Sequence, residues 1–214
     1  MKIHEINIIG AGSLGSFTAQ ILSKMDPTLQ CPLRIWDFDQ VEEHNINNQL
    51  YSEEDIGSKK ILSLQNIISK LGGPEIKIVD SKVDKMTDLR GIVIATVDTM
   101  QAREEILRAC KFNWGVDYLI EARMGGHIGK IYALDSRNWE AVTRYSQFLY
   151  SDKDVANPIC ATNETIPTLL VVAASIAKAI LIYKNSKILK NNFVEVTVDL
   201  INEPIVNSNT YALI

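Results

Sequence analysis

The 214-residue chain carries 22 lysines and arginines against 26 aspartates and glutamates, a formal charge of −4, with 46% apolar residues. Those proportions exclude the disordered, collagen-like and disulfide-scaffold classes and fit one soluble globular domain or a small pair. Folding at this length hides roughly 70% of the surface of the unfolded chain, enough for a core without covalent staples. A mildly acidic chain lacks the basic face of a general nucleic-acid binder, so no nucleic-acid partner is expected.

The three cysteines, Cys31, Cys110 and Cys160, lie far apart and include no Cys-x-x-Cys pair. Neither a disulfide framework nor a four-thiolate zinc site follows from them, and a reducing, cytoplasmic setting is expected. His4, His44 and His127 show no metal-ligand spacing. Met1 to Ile6 has charges where a signal peptide needs an apolar run.

Ile6 to Ile9 reads as a first strand, and Gly10 to Gly15 as a tight turn into a helix with apolar positions at Leu14, Phe17, Ile21, Leu22 and Met25, ended by Pro27. Leu33 to Trp36 is a second strand. Ile61, Leu64, Ile68 and Leu71 mark a helix stopped by Gly72-Gly73-Pro74. Ile76 to Val79 alternates as a third strand, and the unbroken run Ile92 to Ala95 suits a strand covered on both faces. A helix is predicted from Met100 to Lys111, then strands through Tyr118 to Ile120 and Lys130 to Ala133, antiparallel because their connection is too short for a crossover helix. Gly125-Gly126 between them reads as a plain turn. From Asn138 to Asn163 the periodicity dissolves, and a long loop is expected. A helix is expected from Ile166 to Tyr183; its apolar stretch Thr168 to Tyr183 is short for a membrane span and contains Lys178, so a buried helix rather than a membrane partner is expected. Phe193 to Val198 is a late strand. The fold class is therefore α/β: a Rossmann-like, mostly parallel sheet with helices on both faces and antiparallel strands toward the C-terminal half.

Gly10-Ala11-Gly12-Ser13-Leu14-Gly15 fits the G-x-G-x-x-G fingerprint between a strand and an amphipathic helix. Glycines admit a phosphate close to the backbone, and the helix N-terminus offers free N–H groups and partial positive charge. Asp37, at the end of the second strand, is placed to accept hydrogen bonds from a ribose. Taken alone, this fingerprint makes an NAD-dependent oxidoreductase one reading.

Asp37-Phe38-Asp39, Asn45-Ile46-Asn47-Asn48-Gln49 and Gly57-Ser58-Lys59-Lys60 follow in order, with Asp98 after a later strand and Arg103 beyond it. This ordered set resembles the nucleotide-binding run of the ThiF/MoeB and ubiquitin-activating superfamily, whose pattern is Asp-x-Asp, Asn-x-x-Arg-Gln and Gly-x-x-Lys, then a strand-end magnesium aspartate and an arginine. The resemblance covers residues 5–135 and resumes over 160–182. It implies ATP- and Mg²⁺-dependent adenylation of the C-terminal carboxylate of a small ubiquitin-like or sulfur-carrier protein or peptide, with release of pyrophosphate. By resemblance, Gly10, Gly12, Gly15, Asp37, Asp39, Asn45, Asn48 and Gln49 line the nucleotide pocket, Lys60 touches the phosphates, Asp98 holds Mg²⁺, and Lys60, Asp98, Arg103 and Cys160 form the catalytic set. A single adenylation domain over residues 1–214 and a homodimer are further expectations, the dimer consistent with the small residues Ala173, Ala174, Ser175 and Ala177.

Each residue also has a plainer reading. Asp98, three positions before Gln101, suits a helix N-cap. Lys60 alone is a solvated helix lysine, and its neighbour Lys59 points about 100° away, so only one of the two faces the pocket. Cys160 aligns with a family cysteine that bonds covalently to the carrier in the thiamine branch, but the same cysteine also occurs in members that do not use it. Asn48 stands where the family has a phosphate-binding arginine, and Arg103 and Arg123 are the candidates to replace its charge. That departure supports a third reading, a noncatalytic nucleotide-binding partner subunit of a heterodimeric activating enzyme.

Overall fold

A computed structural model describes residues 2–151, 163–185, 192–201 and 205–212. The chain starts with β1 (Ile6–Ile9), whose four residues are all buried. Ile6 and Ile8 face one side, while Ile9 and Asn7 face the other. Asn7 is satisfied inside the core: Trp36 Nε1 donates to its Oδ1 at 2.9 Å, and its own amide donates to the Arg90 carbonyl at 2.7 Å. Helix α1 (Ser13–Lys24) follows. Pro27 does not end it. Pro27 sits in the first turn of a separate short helix, α2 (Asp26–Leu29), where a missing N–H costs nothing.

Strand β2 (Leu33–Trp36) leads through two 3-10 turns, Glu43–Asn45 and Glu53–Asp55, into α3 (Lys60–Lys70). Then come β3 (Lys77–Val79), β4 (Gly91–Ala95) and α4 (Met100–Cys110). Strand β5 (Val116–Gly125) is longer than predicted and turns back through Gly126, at φ +58°, into β6 (Ile128–Leu134). The expected loop from Asn138 begins instead with α5 (Trp139–Ser146), capped by Asn138, whose Oδ1 accepts from the Glu140 and Ala141 amides. Helix α6 (Ile166–Asn185), β7 (Asn192–Asp199) and β8 (Ile205–Ala212) complete the described chain, and β8 had no counterpart in the sequence reading.

All eight strands join one sheet in the order β3-β2-β1-β4-β5-β6-β7-β8. The β3-β2-β1-β4-β5 part is parallel, and β6, β7 and β8 continue antiparallel. Helices cover both faces: α1, α3 and α6 pack on one apolar cluster, α4 and α5 on the other. Each fully buried isoleucine or leucine in these layers contributes about 1.5–3 kcal/mol. At 20 residues, α6 is long and apolar enough to cross a bilayer, longer than the stretch read from sequence. Here it buries Leu169, Val172, Ala173, Ile176, Ala177 and Ile180 against α1, β5 and β6. Ala173 and Ala177 are thus consumed by packing within the chain.

Candidate functional site

The chain leaves β1 and β4 in opposite directions, one toward β2 and the other toward β5. Their neighbouring C-terminal ends, Ile9 and Ala95, therefore open a crevice, the usual ligand position in an open α/β sheet. Gly10 to Gly15 and Thr96 to Asp98 form its rims.

Gly10 has φ +96°, and a side chain on it would lie 2.8 Å from the Thr96 carbonyl oxygen. Gly15 is still more constrained, because an added Cβ would sit 1.8 Å from the Gly10 oxygen. Thr96 Oγ1 lies 3.0 Å from the Ile9 oxygen and 2.9 Å from the Gly10 oxygen and donates to one or the other. Gly12 differs from both. It opens α1, no side chain caps the first amides, and a Cβ there would meet nothing within 4 Å. Free amides facing open space suit an anion.

Asp37 grips this loop. Its Oδ2 accepts from the Ala11 amide at 2.6 Å and its Oδ1 from the Asp39 amide at 2.8 Å. A carboxylate has about four acceptor positions, so two remain for ribose hydroxyls. The Tyr51 hydroxyl donates to the Ala11 carbonyl at 2.6 Å, fastening the same residue through its next peptide group. Burial, and then the Asp37 charge, push the Tyr51 hydroxyl pKa well above its usual value, so it stays a donor. Sequence reasoning missed Tyr51, which lies between the Asn45–Gln49 and Gly57–Lys60 motifs and belongs to neither.

Lys60 opens α3 and is buried, with Nζ 3.1 Å from Asp39 Oδ2. The backbones join as well: the Lys60 amide donates to the Asp39 carbonyl at 3.0 Å, beside an antiparallel bridge between Gln40 and Lys59. The adjacent lysines diverge, for Lys59 Nζ reaches the Phe38 carbonyl at 2.7 Å and Asp80 Oδ1 at 3.1 Å. Asn45 is buried, its Oδ1 accepting from the Glu42 amide at 2.9 Å. Asn48 is buried too, and Gln49 Oε1 is a buried acceptor without a partner among the described residues.

Asp98 does not cap α4. Thr99 does, one residue later, its Oγ1 accepting from the Ala102 amide at 3.2 Å. The Asp98 carboxylate is left exposed at the crevice rim. Arg103 is buried, with Nε 2.7 Å from Glu121 Oε1 and one Nη 3.0 Å from the Asp98 carbonyl oxygen. Arg123 binds Glu121 too, at 2.6 Å through an Nη, and reaches the Phe148 carbonyl at 3.0 Å. The two arginines proposed to replace the missing charge at Asn48 are thus tied to one carboxylate. Cys160 lies outside the described residues.

No group of three or more His, Cys, Asp or Glu side chains is assembled among the described residues. Mg²⁺ fits such a site, because it commonly takes one or two carboxylates and completes its octahedron with phosphate oxygens and water. Of the carboxylates at the crevice rim, the exposed Asp98 side chain is one that could hold it.

The fold and crevice are those of a Rossmann-like α/β protein, and the chain belongs to the ThiF family, whose model spans residues 2–202. Ubiquitin-like modifier-activating enzyme 5 of Culex quinquefasciatus is 26% identical over 146 residues, covering 58% of this chain and 36% of that enzyme. The enzyme of the same name from Dictyostelium discoideum is 24% identical over 160 residues, covering 64% and 41%. The chain therefore spans about two fifths of the length of these curated relatives. Among solved structures, E. coli MccB with ATP superposes at a TM-score of 0.69, with 16% identity, over 99% of this chain and 65% of that one. PaaA gives 0.68 and 16%, over 99% and 64%. These structural likenesses show a shared fold.

Proposed function

We propose that residues 1–214 form one ATP-binding unit that adenylates the C-terminal carboxylate of a small ubiquitin-like or sulfur-carrier protein or peptide. One observation carries this reading: the open face above Gly12 adjoins the ends of β2 and β4, where Asp37, the Asp39–Lys60 pair and the free Asp98 carboxylate stand. A carboxylate oxygen of the substrate attacks the α-phosphorus of ATP, the bond to the β-phosphate oxygen breaks, and pyrophosphate leaves with that electron pair. A terminal carboxyl is already ionised at neutral pH, so no general base is required. What the site must supply is positive charge in place before the reaction. The α1 amides receive phosphate oxygens, Asp37 holds the ribose, and Lys60 exchanges Asp39 for a phosphate. Mg²⁺ on Asp98 would neutralise phosphate charge when bound. MccB has been solved with ATP and with AMPCPP plus MccA, which supports both the nucleotide and a peptide as partner.

Exchange of labelled pyrophosphate into ATP, dependent on a carrier peptide, tests the reading. Lys60→Ala is expected to lower exchange about 100-fold or more, the range for removing a transition-state cation. Because Asp39 is half exposed, the same change should cost under ~1 kcal/mol of stability. Equal exchange in both proteins removes Lys60 from the catalytic set.

A second reading has its own support. With Asn48 in place of arginine, and Arg103 and Arg123 engaged by Glu121, the charge for catalysis is thinner than the family pattern. ATP binding without adenylate formation on any carrier would establish a noncatalytic partner subunit. Thermal stabilisation by NAD and not by Mg·ATP would overturn both readings in favour of an oxidoreductase. A homodimer in the cytoplasm completes the proposal. Light scattering tests the dimer.

A further inference from the structure

Glu121 is 1% exposed, and in the sheet it lies directly beside Ala95, the last residue of β4. Its carboxylate receives two guanidinium groups: Arg103 through Nε at 2.7 Å, and Arg123 through Nε at 3.1 Å and an Nη at 2.6 Å. Burying a carboxylate with two arginines is costly in desolvation and is no efficient way to stabilise a core. The arrangement does fix something specific. The arm of Arg103 not spent on Glu121 donates to the Asp98 carbonyl at 3.0 Å, immediately before Thr99 caps α4. Asp98 is thus held by its backbone while its carboxylate stays free. Burial acts to lower the Arg123 pKa, but the hydrogen bonds and charge of Glu121 outweigh it, so this cation keeps its proton. Arg123 also lies over the Tyr132 ring at 5.1 Å, which leaves Glu121 little freedom to turn away.

We propose that Glu121 is a positioning residue for the metal–nucleotide site: through Arg103 it holds the Asp98 backbone so that the Asp98 carboxylate meets the cation on the phosphates. This rests on the adenylation reading given above. Groups that orient a metal-binding carboxylate commonly change metal affinity without touching the metal.

The test measures ATP affinity of the full chain by calorimetry, once with Mg²⁺ and once with EDTA. In Glu121→Gln the gain in affinity from Mg²⁺ should shrink roughly tenfold or more, with metal-free affinity within about twofold of wild type. An unchanged gain in folded Glu121→Gln overturns the proposal, as does an equal fall in both affinities, which marks a structural role only. If Glu121→Gln does not fold, Arg103→Lys takes its place: it keeps a cation beside Glu121 but gives up the planar second arm to Asp98, and the same outcomes decide. A wild type with no gain from Mg²⁺ sinks the adenylation reading and this proposal with it. A wild type with the gain and variants that retain it sinks the positioning role alone.

Discussion

Gly12 and Gly15 belong to one motif and do different things. An alanine at Gly15 would press its methyl into the Gly10 carbonyl at 1.8 Å, and neither backbone can yield without breaking the turn. Gly15→Ala is expected to cost at least ~3 kcal/mol, above the ordinary overpacking range, read as a lowered denaturant midpoint. Gly12→Ala meets no protein atom, so its stability cost should stay near ~1 kcal/mol or below, the scale of a cap change. Its methyl would fill the open space that the adenylation proposal gives to phosphate, so on that proposal ATP binding should fall sharply in calorimetry. The motif was readable from spacing alone; this division of labour was not, because it depends on which carbonyl lies across the turn. Tyr51 escaped for the same reason, since its hydrogen bond spans 40 positions of sequence. The cysteines give another expectation. Cys31 is buried with its thiol pushed up to about 11, first by burial and then by Asp26, and burial raises Cys110 further. Neither should react with an alkylating reagent at pH 7.5 in the folded protein, so rapid labelling would report Cys160.

Strand and helix periodicity identified β1, β2, β4, α1, α3, α4 and α6 because each buries an apolar face against the sheet. It failed at α5, where Trp139 is exposed and Ala141, Val142 and Tyr145 alone face inward, too short a run to stand out. It failed at β8 for another reason: Ile205 to Ala212 lies at the sheet edge with its four polar residues, Asn207 to Thr210, in one run, so no alternation marks it. Packing between elements makes a prediction of its own. Tyr118 of β5 stacks on Tyr183 of α6 at 4.8 Å between ring centroids, and the Tyr118 hydroxyl is buried without a partner among the described residues. Tyr118→Phe should be neutral or up to ~1 kcal/mol stabilising, because it removes an unpaired polar group and keeps the ring. Tyr183→Ala should cost about 3–5 kcal/mol, as large-to-small core changes do. Paired urea titrations check both.

Across the molecule, five tyrosines share one electrostatic fate. Burial is the leading cause of raised hydroxyl pKa values at Tyr51, Tyr118, Tyr132, Tyr145 and Tyr183, with Tyr132 and Tyr183 pushed up to about 12. The unfolded chain releases these protons near pH 10 while the folded one retains them, so above that pH the unfolded state binds fewer protons. Their contribution to stability is therefore complete below pH 10 and lost as pH rises, at up to ~1.4 kcal/mol per unit for each group. Measured from pH 8 to 11, unfolding free energies should stay level with respect to these groups up to about pH 10 and drop above it, with a shallower drop in Tyr118→Phe. The alternation of strands and helices was enough to read a doubly covered parallel sheet, and the short link between β5 and β6 enough to read its antiparallel turn.

The contact between α1 and α6 joins the helix that begins at the glycine loop to one that starts about 150 residues later. A ribosome makes them in that order. While the first half of the chain emerges, Leu14, Ala19 and Leu22 can pack on the nascent sheet, yet the flank that α6 covers stays wet until residues 166–185 leave the exit tunnel. Nucleotide affinity should therefore arise late in synthesis. Nascent chains arrested before α6 should remain open to protease at the glycine loop whether or not ATP is supplied.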